Sequence, residues 1–469
     1  MKLSRLHTAP RPFPGSAPRR RPQSSRRTGS VLIIVLWISF GLVALALYFA
    51  QSMSLELRAA TNRAAAVEAG QAIEGAARYV SNLLANAEEP GLLPDLDTYA
   101  REAVPVGDAR FWFIAPVPEH ESPTQPFFSL VDEASKLNLN TATQDMLEAL
   151  PGMTPDLAAA IIDWRDEDSD LTSGGAEDET YLRFNPPYRC KNAPFEFVDE
   201  LRLVRGADLV LLFGEDTNLN GMLDPNENDG DLSPPSDNRD GRLNPGLLHY
   251  LTVHTRGPAG SQTDATGASL INITTPEGRQ ELATLLQETF DADRANAIIS
   301  QLGNGDELRS VLDLFIRSGM TPEEFARIEG RLTVSDDPPE GLVNVNTASE
   351  TVLACLPGIG IGKAASVVAY RQANPDQLDS VAWLAEVLGT EDAAEAGPFV
   401  TARSHQFTAD IAAVGRHGRG YRRVRFVFDI SGETPRIAVR RDLTHLGWAL
   451  GADTRARLEL AAQTGRNFR

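Results

Sequence analysis

Residues 31–50, VLIIVLWISFGLVALALYFA, form an apolar run with no charge and no proline, and they limit the chain more than any other stretch. As a helix rising about 1.5 Å per residue, the run spans about 30 Å, the thickness of a bilayer's hydrocarbon core. A secretory signal has a shorter apolar region and a cleavage site of small residues two apart. Here Tyr48 stands where such a site needs a small side chain before Ala50. The pattern continues past the run. Leu57, Ala60, Ala64, Val67, Gly70, Ile73, Ala77, Val80 and Leu84 recur at steps of three and four, and the next proline is Pro90. The spacing predicts one helix of about 55 residues, apolar all round at first and amphipathic beyond.

Charge orients this helix. The 469-residue chain carries a formal −20, yet residues 1–29 contain Lys and Arg and no Asp or Glu. They are also rich in Pro and Ser and read as a disordered leader. A basic head before an apolar span places the N-terminus in the cytoplasm and the acidic body across the membrane. That acidic body repels phosphates, which weighs against a nucleic-acid partner. The two cysteines, Cys190 and Cys355, are too few for a disulfide framework. A single pair in an oxidising compartment and two free thiols both remain open.

The leader ending in Gly29, followed by an apolar helix that turns amphipathic, resembles the type IV pilins and pseudopilins. The resemblance implies that a prepilin peptidase cuts between Gly29 and Ser30 and that the new N-terminus is methylated. Most pilins carry Glu at the fifth mature position, where this chain has Ile34. Lack of that Glu is the habit of the K-type minor pseudopilins of type II secretion systems. A plain single-pass anchor is the competing reading.

Two stretches share one template: KLNLNTATQDMLEALPGMTPDLAAAIIDWR (136–165) and GLVNVNTASETVLACLPGIGIGKAASVVAYR (341–371). Each reads as a short strand, a short helix, a Leu-Pro-Gly turn and a second helix ending in Arg, the helix-hairpin-helix pattern. Asn140-Thr141 and Asn346-Thr347 are candidates to cap the first helix. Such hairpins commonly bind DNA, and in the second copy Gly358, Gly360 and Lys363 are the residues to meet a phosphate. The first copy has Thr154 and Asp156 instead and runs into DWRDEDSD, which favours scaffold over DNA. K-type pseudopilins contain hairpin-like helices in this Asn-x-Asn-Thr-Ala context.

DTNLNGMLDPNE (216–227) matches the twelve-residue EF-hand loop position for position. Asp216, Asn218, Asn220, Asp224 and Glu227 are the side-chain ligands for calcium, Met222 offers its carbonyl, Gly221 makes the turn and Leu223 is the apolar plug. The flanks are not long amphipathic helices, so an isolated loop is expected. SDNRDGRLN (236–244) is a weaker echo without the closing acid. DEDSDLTSGGAEDETY (166–181) reads from its residues as either an exposed charged loop or a cation site. K-type pseudopilins carry a Gly-Ala-Glu-Asp segment followed by Tyr and bind calcium in this region. The resemblance therefore implies a cage from Glu177 and Asp178, completed by Asp168 and Asp170.

Residues 108–117, 126–133, 405–414, 422–430 and 435–441 read as strands, and 279–331 as helices with Leu282, Leu286 and Ile298 inside. Arg422, Arg423, Arg425, Arg440 and Arg441 alternate with apolar residues and read as the solvated face of a half-buried sheet. The seven histidines are scattered, and no nucleophile elbow or phosphate loop occurs, so no enzyme is expected.

The whole reads as an α+β chain: an N-terminal transmembrane and assembly helix packed on a pilin-like antiparallel sheet, with a large, mainly helical inserted domain. The expected divisions are a leader (1–29), the membrane part of the helix (30–52), the rest of the helix and first strands (53–133), the insertion (134–340), the second hairpin and final sheet (341–445) and a tail (446–469). The resemblance implies a single-pass inner-membrane protein with a periplasmic body. It implies a place at the pseudopilus tip beside the I- and J-type minor pseudopilins and the major pseudopilin. A membrane-tethered DNA receptor of the competence type, and a minor pilin or calcium-dependent adhesin of another filament, are the alternatives.

Overall fold

The computed structural model describes residues 29–87, 91–118, 121–257, 269–302, 308–432 and 434–464; the expected leader lies outside them except for Gly29. The chain divides into two units, one ending at Thr61 and the other starting at Asn62. Helix α1 covers Gly29–Ala85, 57 residues, close to the predicted length. In the first unit its apolar side chains are bare: Trp37 is 76% exposed and Tyr48 68%. Among the described residues α1 is the helix long and apolar enough to cross a membrane.

In the second unit α1 buries Ala65, Ala69, Ala72, Ile73, Ala76, Ala77, Val80 and Leu84. This corrects the expected stripe, because Leu57 and Val67 are exposed. Those positions climb from 57 to 84 in eight steps, whereas eight helical turns need about 29 residues, so the two ends of the stripe lie on different faces. The true face is set by alanines, which let the helix backbone approach a sheet closely.

Strands β1 (Val104–Val106), β2 (Ala109–Ala115), β3 (Phe127–Phe128) and β4 (Val131–Asp132) follow. The chain then leaves the sheet for a helical insertion built of three similar units. The first opens with β5 (Leu137–Asn138), continues through α2 (Gln144–Glu148), α3 (Pro155–Arg165), α4 (Asp178–Tyr181) and α5 (Leu209–Phe213), and closes with β6 (Leu251–Thr252). The second runs from β7 (Ile271–Asn272) through α6 (Pro276–Thr289), α7 (Ala292–Leu302), α8 (Val311–Ser318) and α9 (Pro322–Ala326) to β8 (Leu332–Thr333). The third runs from β9 (Val343–Asn344) through α10 (Glu350–Ala354), α11 (Gly360–Ala373), α12 (Trp383–Leu388) and α13 (Thr390–Ala396) to β10 (Val400–Thr401). In each unit the opening and closing strands pair in parallel.

The middle unit was not legible as a repeat, since its sequence, LINITTPEG, lacks the Leu-Pro-Gly turn. Its backbone nevertheless repeats the others. Leu139, Ile273 and Val345 donate their N–H to Thr252, Thr333 and Thr401 at 2.9, 2.9 and 3.0 Å. The side chains of Asn138, Asn272 and Asn344 each accept from the backbone N–H two residues on. The expected caps are corrected: Thr143 and Ser349 cap α2 and α10. Asn140 is occupied by both backbone groups of Phe195, and Asn346 by the Leu378 carbonyl and the Trp383 indole.

One hydrophobic core runs through all three units, from Leu137 to Ala402. The expected boundary at 340 therefore separates nothing. The second hairpin belongs to the insertion, because burying its apolar face requires the neighbouring unit. Cys190 and Cys355 are both buried in this core as free thiols.

The chain returns to the sheet as β11 (Gln406–Gly415), β12 (Arg419–Asp429) and β13 (Arg436–Asp442). The antiparallel order is β1-β2-β11-β12-β13, with β3 also on β2 and β4 also on β11. One face packs Phe111, Phe113, Phe407, Ile411, Phe426 and Phe428 against α1. The other presents Trp112, Ile114 and Val414 to Leu450 and Leu458. Leu458 lies on α14 (Gly451–Thr464), so the expected tail is a helix that covers an otherwise bare apolar face. Full burial of one such side chain is worth about 1.5–3 kcal/mol.

Where the insertion departs, two acids are buried. Asp132 accepts from Asn344, Thr347, Ser404 and the Ala134 N–H at 2.9, 2.6, 2.7 and 2.8 Å. Glu133 accepts from Lys136, Thr252 and Thr408. Burial would raise the Glu133 pKa, but Lys136 and the two hydroxyls hold it down to about 2.

Candidate functional site

The loop at 216–227 follows the short helix α5 and ends in a 3-10 turn, Pro225–Glu227, so it is isolated, as expected. Its backbone is folded by its own side chains. The Asp216 carboxylate accepts from the N–H of Asn220 and Gly221 at 3.0 and 2.9 Å. Asn218 accepts from the Asn220 N–H, and Asn220 from the Met222 N–H, both at 2.9 Å. Gly221, at φ +70, makes the sharp turn, and a Cβ there would stand 2.5 Å from Pro116 Cα. Leu223 is buried as the apolar plug.

The amides of Asn218 and Asn220 donate to the same Asp224 oxygen at 2.7 and 2.9 Å. Asp216 is 2% exposed and Glu227 1%, and Glu227 Oε1 is buried with no hydrogen-bond partner. An orphaned buried carboxylate oxygen is costly unless a cation or a proton answers it. Burial pushes Asp216 up to about 6 and Glu227 up to about 8, and raises Asp224 as well. Among the described residues no three His, Cys, Asp or Glu side chains already converge as a cage. The loop's three acids, Asp216, Asp224 and Glu227, are held apart, with Asp224 turned to the two amides. The hard-oxygen set and the orphaned Glu227 oxygen fit calcium.

The second acidic segment is arranged differently from the cage the resemblance implies. Asp168 and Asp170 are exposed. Asp178 heads α4 and accepts from the Cys190 N–H and Arg189 at 2.8 and 3.2 Å. Only Glu177 of the four is buried, and neither of its oxygens has a hydrogen-bond partner. Its neighbours are Asp163 and Asp166, each with a buried oxygen that is also without a partner. Burial, then the Asp163 charge, raises the Glu177 pKa; burial, then the charges of Asp168 and Asp163, raises that of Asp166. A Cβ on Gly175 would fall inside the Asp163 carboxylate, so only glycine lets the backbone close over that fully buried acid. The acids with buried, unpartnered oxygens are thus Asp163, Asp166 and Glu177, which do not converge as a cage. Asp163 escaped notice because it sits inside α3 among apolar residues. The weaker echo at 236–244 is tied into its own turns, with Asp237 accepting from Asp229, Gly230 and Arg239 N–H groups.

Gly29 and Ser30 are the first two residues of α1. In the second hairpin, Gly358 lies at φ +73, and a Cβ there would collide with the Asp392 carbonyl. Lys363 forms an ion pair with Asp392. Both are therefore engaged in packing α11 against α13. Gly360, at φ +58, opens α11.

Arg422 and Arg440 are exposed, as expected of a solvated face, but Arg423 is a correction to it. Arg423 is fully buried and pairs with Asp410 at 2.8 Å, and Arg425 shares that carboxylate. Arg440 pairs with Glu74 of α1, and Arg441 with Asp199 of the insertion. The signal for this was Asp410, an acid within an otherwise apolar strand, which requires a buried cation.

An apolar N-terminal helix whose continuation lies on an antiparallel sheet, with a helical body inserted between two strands, defines a pilin-like α+β architecture. The family model described as type II secretion system (T2SS), protein K matches residues 129–212, and that of the helix-hairpin-helix motif matches 339–395. Type II secretion system protein K of Klebsiella pneumoniae is 46% identical over 55 residues, 12% of this chain and 17% of that one. The protein of the same name from Aeromonas hydrophila is 28% identical over 206 residues, 39% of this chain and 60% of that one. The matched part thus spans less than two thirds of either relative. The GspK-GspI-GspJ complex of the enterotoxigenic Escherichia coli type 2 secretion system aligns over 84% of this chain and 98% of that one. That likeness is distant, with a TM-score of 0.37 and 12% identity. Over these stretches the chain is similar to protein K of type II secretion systems.

Proposed function

We propose that this pseudopilin caps the tip of the pseudopilus and helps initiate its assembly, with no catalytic step of its own. The observation that carries the reading is the helical body between β4 and β11, which takes up more than half of the chain. Its bulk would stop a further subunit from adding above it, a steric mechanism. Ile34 supports the same place, since a tip subunit needs no Glu to pair with the amine of a subunit above. The partners are I- and J-type minor pseudopilins and, below them, the major pseudopilin. The prepilin peptidase frees Ser30, and α1 holds the chain in the inner membrane with its body in the periplasm.

Calcium belongs to this reading as a cross-link. Asp216, Asn218, Asn220, Asp224 and Glu227, with the Met222 carbonyl, would hold one ion. Asp163, Asp166 and Glu177, whose buried oxygens lack partners, would have to draw together to hold another. A bound cation supplies charge that lets these buried carboxylates ionise and fixes the loops that carry them.

Co-purification tests the role. The full chain, extracted in detergent, is expected to bring down I- and J-type subunits from the same organism. Recovery of the major pseudopilin alone, in repeated pull-downs, would place the chain elsewhere in the filament.

A further inference from the structure

The affinity of a calcium loop depends on ligand charge and on how rigidly the loop is held. Long helices on either side usually give that rigidity. Here the loop at 216–227 is entered from five-residue α5 and left through a three-residue 3-10 turn. Its stiffness must come from elsewhere.

The loop sits in a slot on the sheet side of the molecule. The Val117 N–H donates to the Gly221 carbonyl at 3.0 Å, and the Leu223 N–H to the Pro123 carbonyl at 2.7 Å. From β12, the buried Arg423 reaches the loop's backbone. Its two terminal nitrogens donate to the carbonyls of Asn218 and Leu219, the latter at 2.6 Å. Leu219 is held at φ +54, in the left-handed region that a leucine seldom adopts. The same guanidinium grips Asp410 with Nε and Nη2 at 2.9 and 2.8 Å. The planar fork of arginine suits this double task, and lysine, with one point of charge, does not.

We propose that Arg423 is a positioning residue for calcium: by clamping the carbonyls at the third and fourth loop positions, it pre-forms the loop, so that calcium occupancy and seating of the insertion on the sheet are one coupled equilibrium. The proposal rests on the calcium reading of this loop. Coupling is reciprocal: whatever factor Arg423 adds to calcium affinity, calcium adds to the hold of the sheet on the loop. The calcium loop is then a latch between the inserted body and the pilin-like sheet, and its occupancy sets how firmly the two are joined.

The test is a calcium titration of the detergent-solubilised full chain by calorimetry, with Glu227→Gln marking the signal of this loop. Arg423→Met with Asp410→Leu removes the fully buried pair together and leaves only the part-exposed Arg425 without its partner. Arg425→Met is the control, because Arg425 shares Asp410 without touching the loop. The double variant is expected to weaken the Glu227-dependent site at least tenfold and to abolish most of its calcium-induced rise in melting temperature. Arg425→Met should stay within threefold of the unmutated chain. Arg423→Lys, which keeps the charge and loses the fork, is expected to weaken the site at least fivefold and covers the case of a double variant that does not fold. A folded double variant, or Arg423→Lys, that binds within twofold of the unmutated chain overturns the positioning role. Equal loss in Arg425→Met overturns it too, since charge balance at Asp410 would then be the cause. If the unmutated chain and Glu227→Gln titrate alike, the calcium reading itself fails and takes the coupling with it.

Discussion

Asp132→Ala is expected to destabilise the chain by about 3 kcal/mol, through the junction between sheet and insertion. Asp132 is 2% exposed and accepts four hydrogen bonds, three of them from the start of the third unit and the residues just after it: Asn344, Thr347 and Ser404. Each donor left unsatisfied in a buried site costs about 1–3 kcal/mol. Asn344 and Ser404 also bond to each other at 2.9 Å, and a hydroxyl can re-aim, so roughly two donors are stranded and the gross loss is about 4 kcal/mol. The net loss is somewhat smaller, because a buried carboxylate without a cation is itself costly, and burial raises its pKa. Asp132→Asn keeps the shape and one acceptor and should lose about half as much. Urea melts of the full chain in detergent measure both, with limited proteolysis to show whether the residues around β4 and β9 open first. The raised pKa adds a signature. Just above the usual carboxylate range the folded chain binds more protons than the unfolded one, so stability from this group falls as pH rises, and Asp132→Asn removes that slope. An alanine variant within about 0.5 kcal/mol of the unmutated chain, the usual range of neutral surface changes, would refute the junction argument.

Three further outcomes are expected. A hundredfold excess of calcium over its dissociation constant should stabilise the chain by about 2.7 kcal/mol per site, and Glu227→Gln should remove one site's share; equal melting temperatures with calcium and chelator in the unmutated chain contradict this. Gly358→Ala should cost more than about 1–3 kcal/mol from backbone strain plus its clash with Asp392, whereas Lys363→Met, which breaks a surface ion pair, should cost under about 1 kcal/mol. A gel shift at low salt that Lys363→Met abolishes would revive the DNA-receptor reading. Terminal sequencing of the membrane-inserted protein should begin at Ser30, and Gly29→Val should retain the leader; a start at Met1 or near Gln51 in the unmutated chain contradicts the processing site.

The sequence by itself determined what depends on neighbours along the chain. The length of α1 was legible because an apolar run and a proline-free amphipathic stretch need only local periodicity. So were both hairpins, with Leu-Pro-Gly as a local turn signal, and the twelve-residue loop, whose Asp, Asn and Gly spacing folds its own backbone. Only the tertiary structure decided which face of α1 is buried, since that depends on an alanine row meeting a sheet whose strands are separated by hundreds of residues in the chain. It likewise drew the second hairpin into one core with the first, and revealed a middle unit whose parallel strand pair survives without the hairpin's sequence. The acidic segment shows the same divide. Its charges were visible, but Asp163, hidden in α3, joins Glu177 while Asp168 and Asp170 stay in solvent. Arg423 looked like one more surface arginine in an alternating strand. Its burial follows from a partner acid on the adjacent strand and two carbonyls of a loop more than two hundred residues away, and long-range pairing of that kind leaves no periodic trace in a sequence.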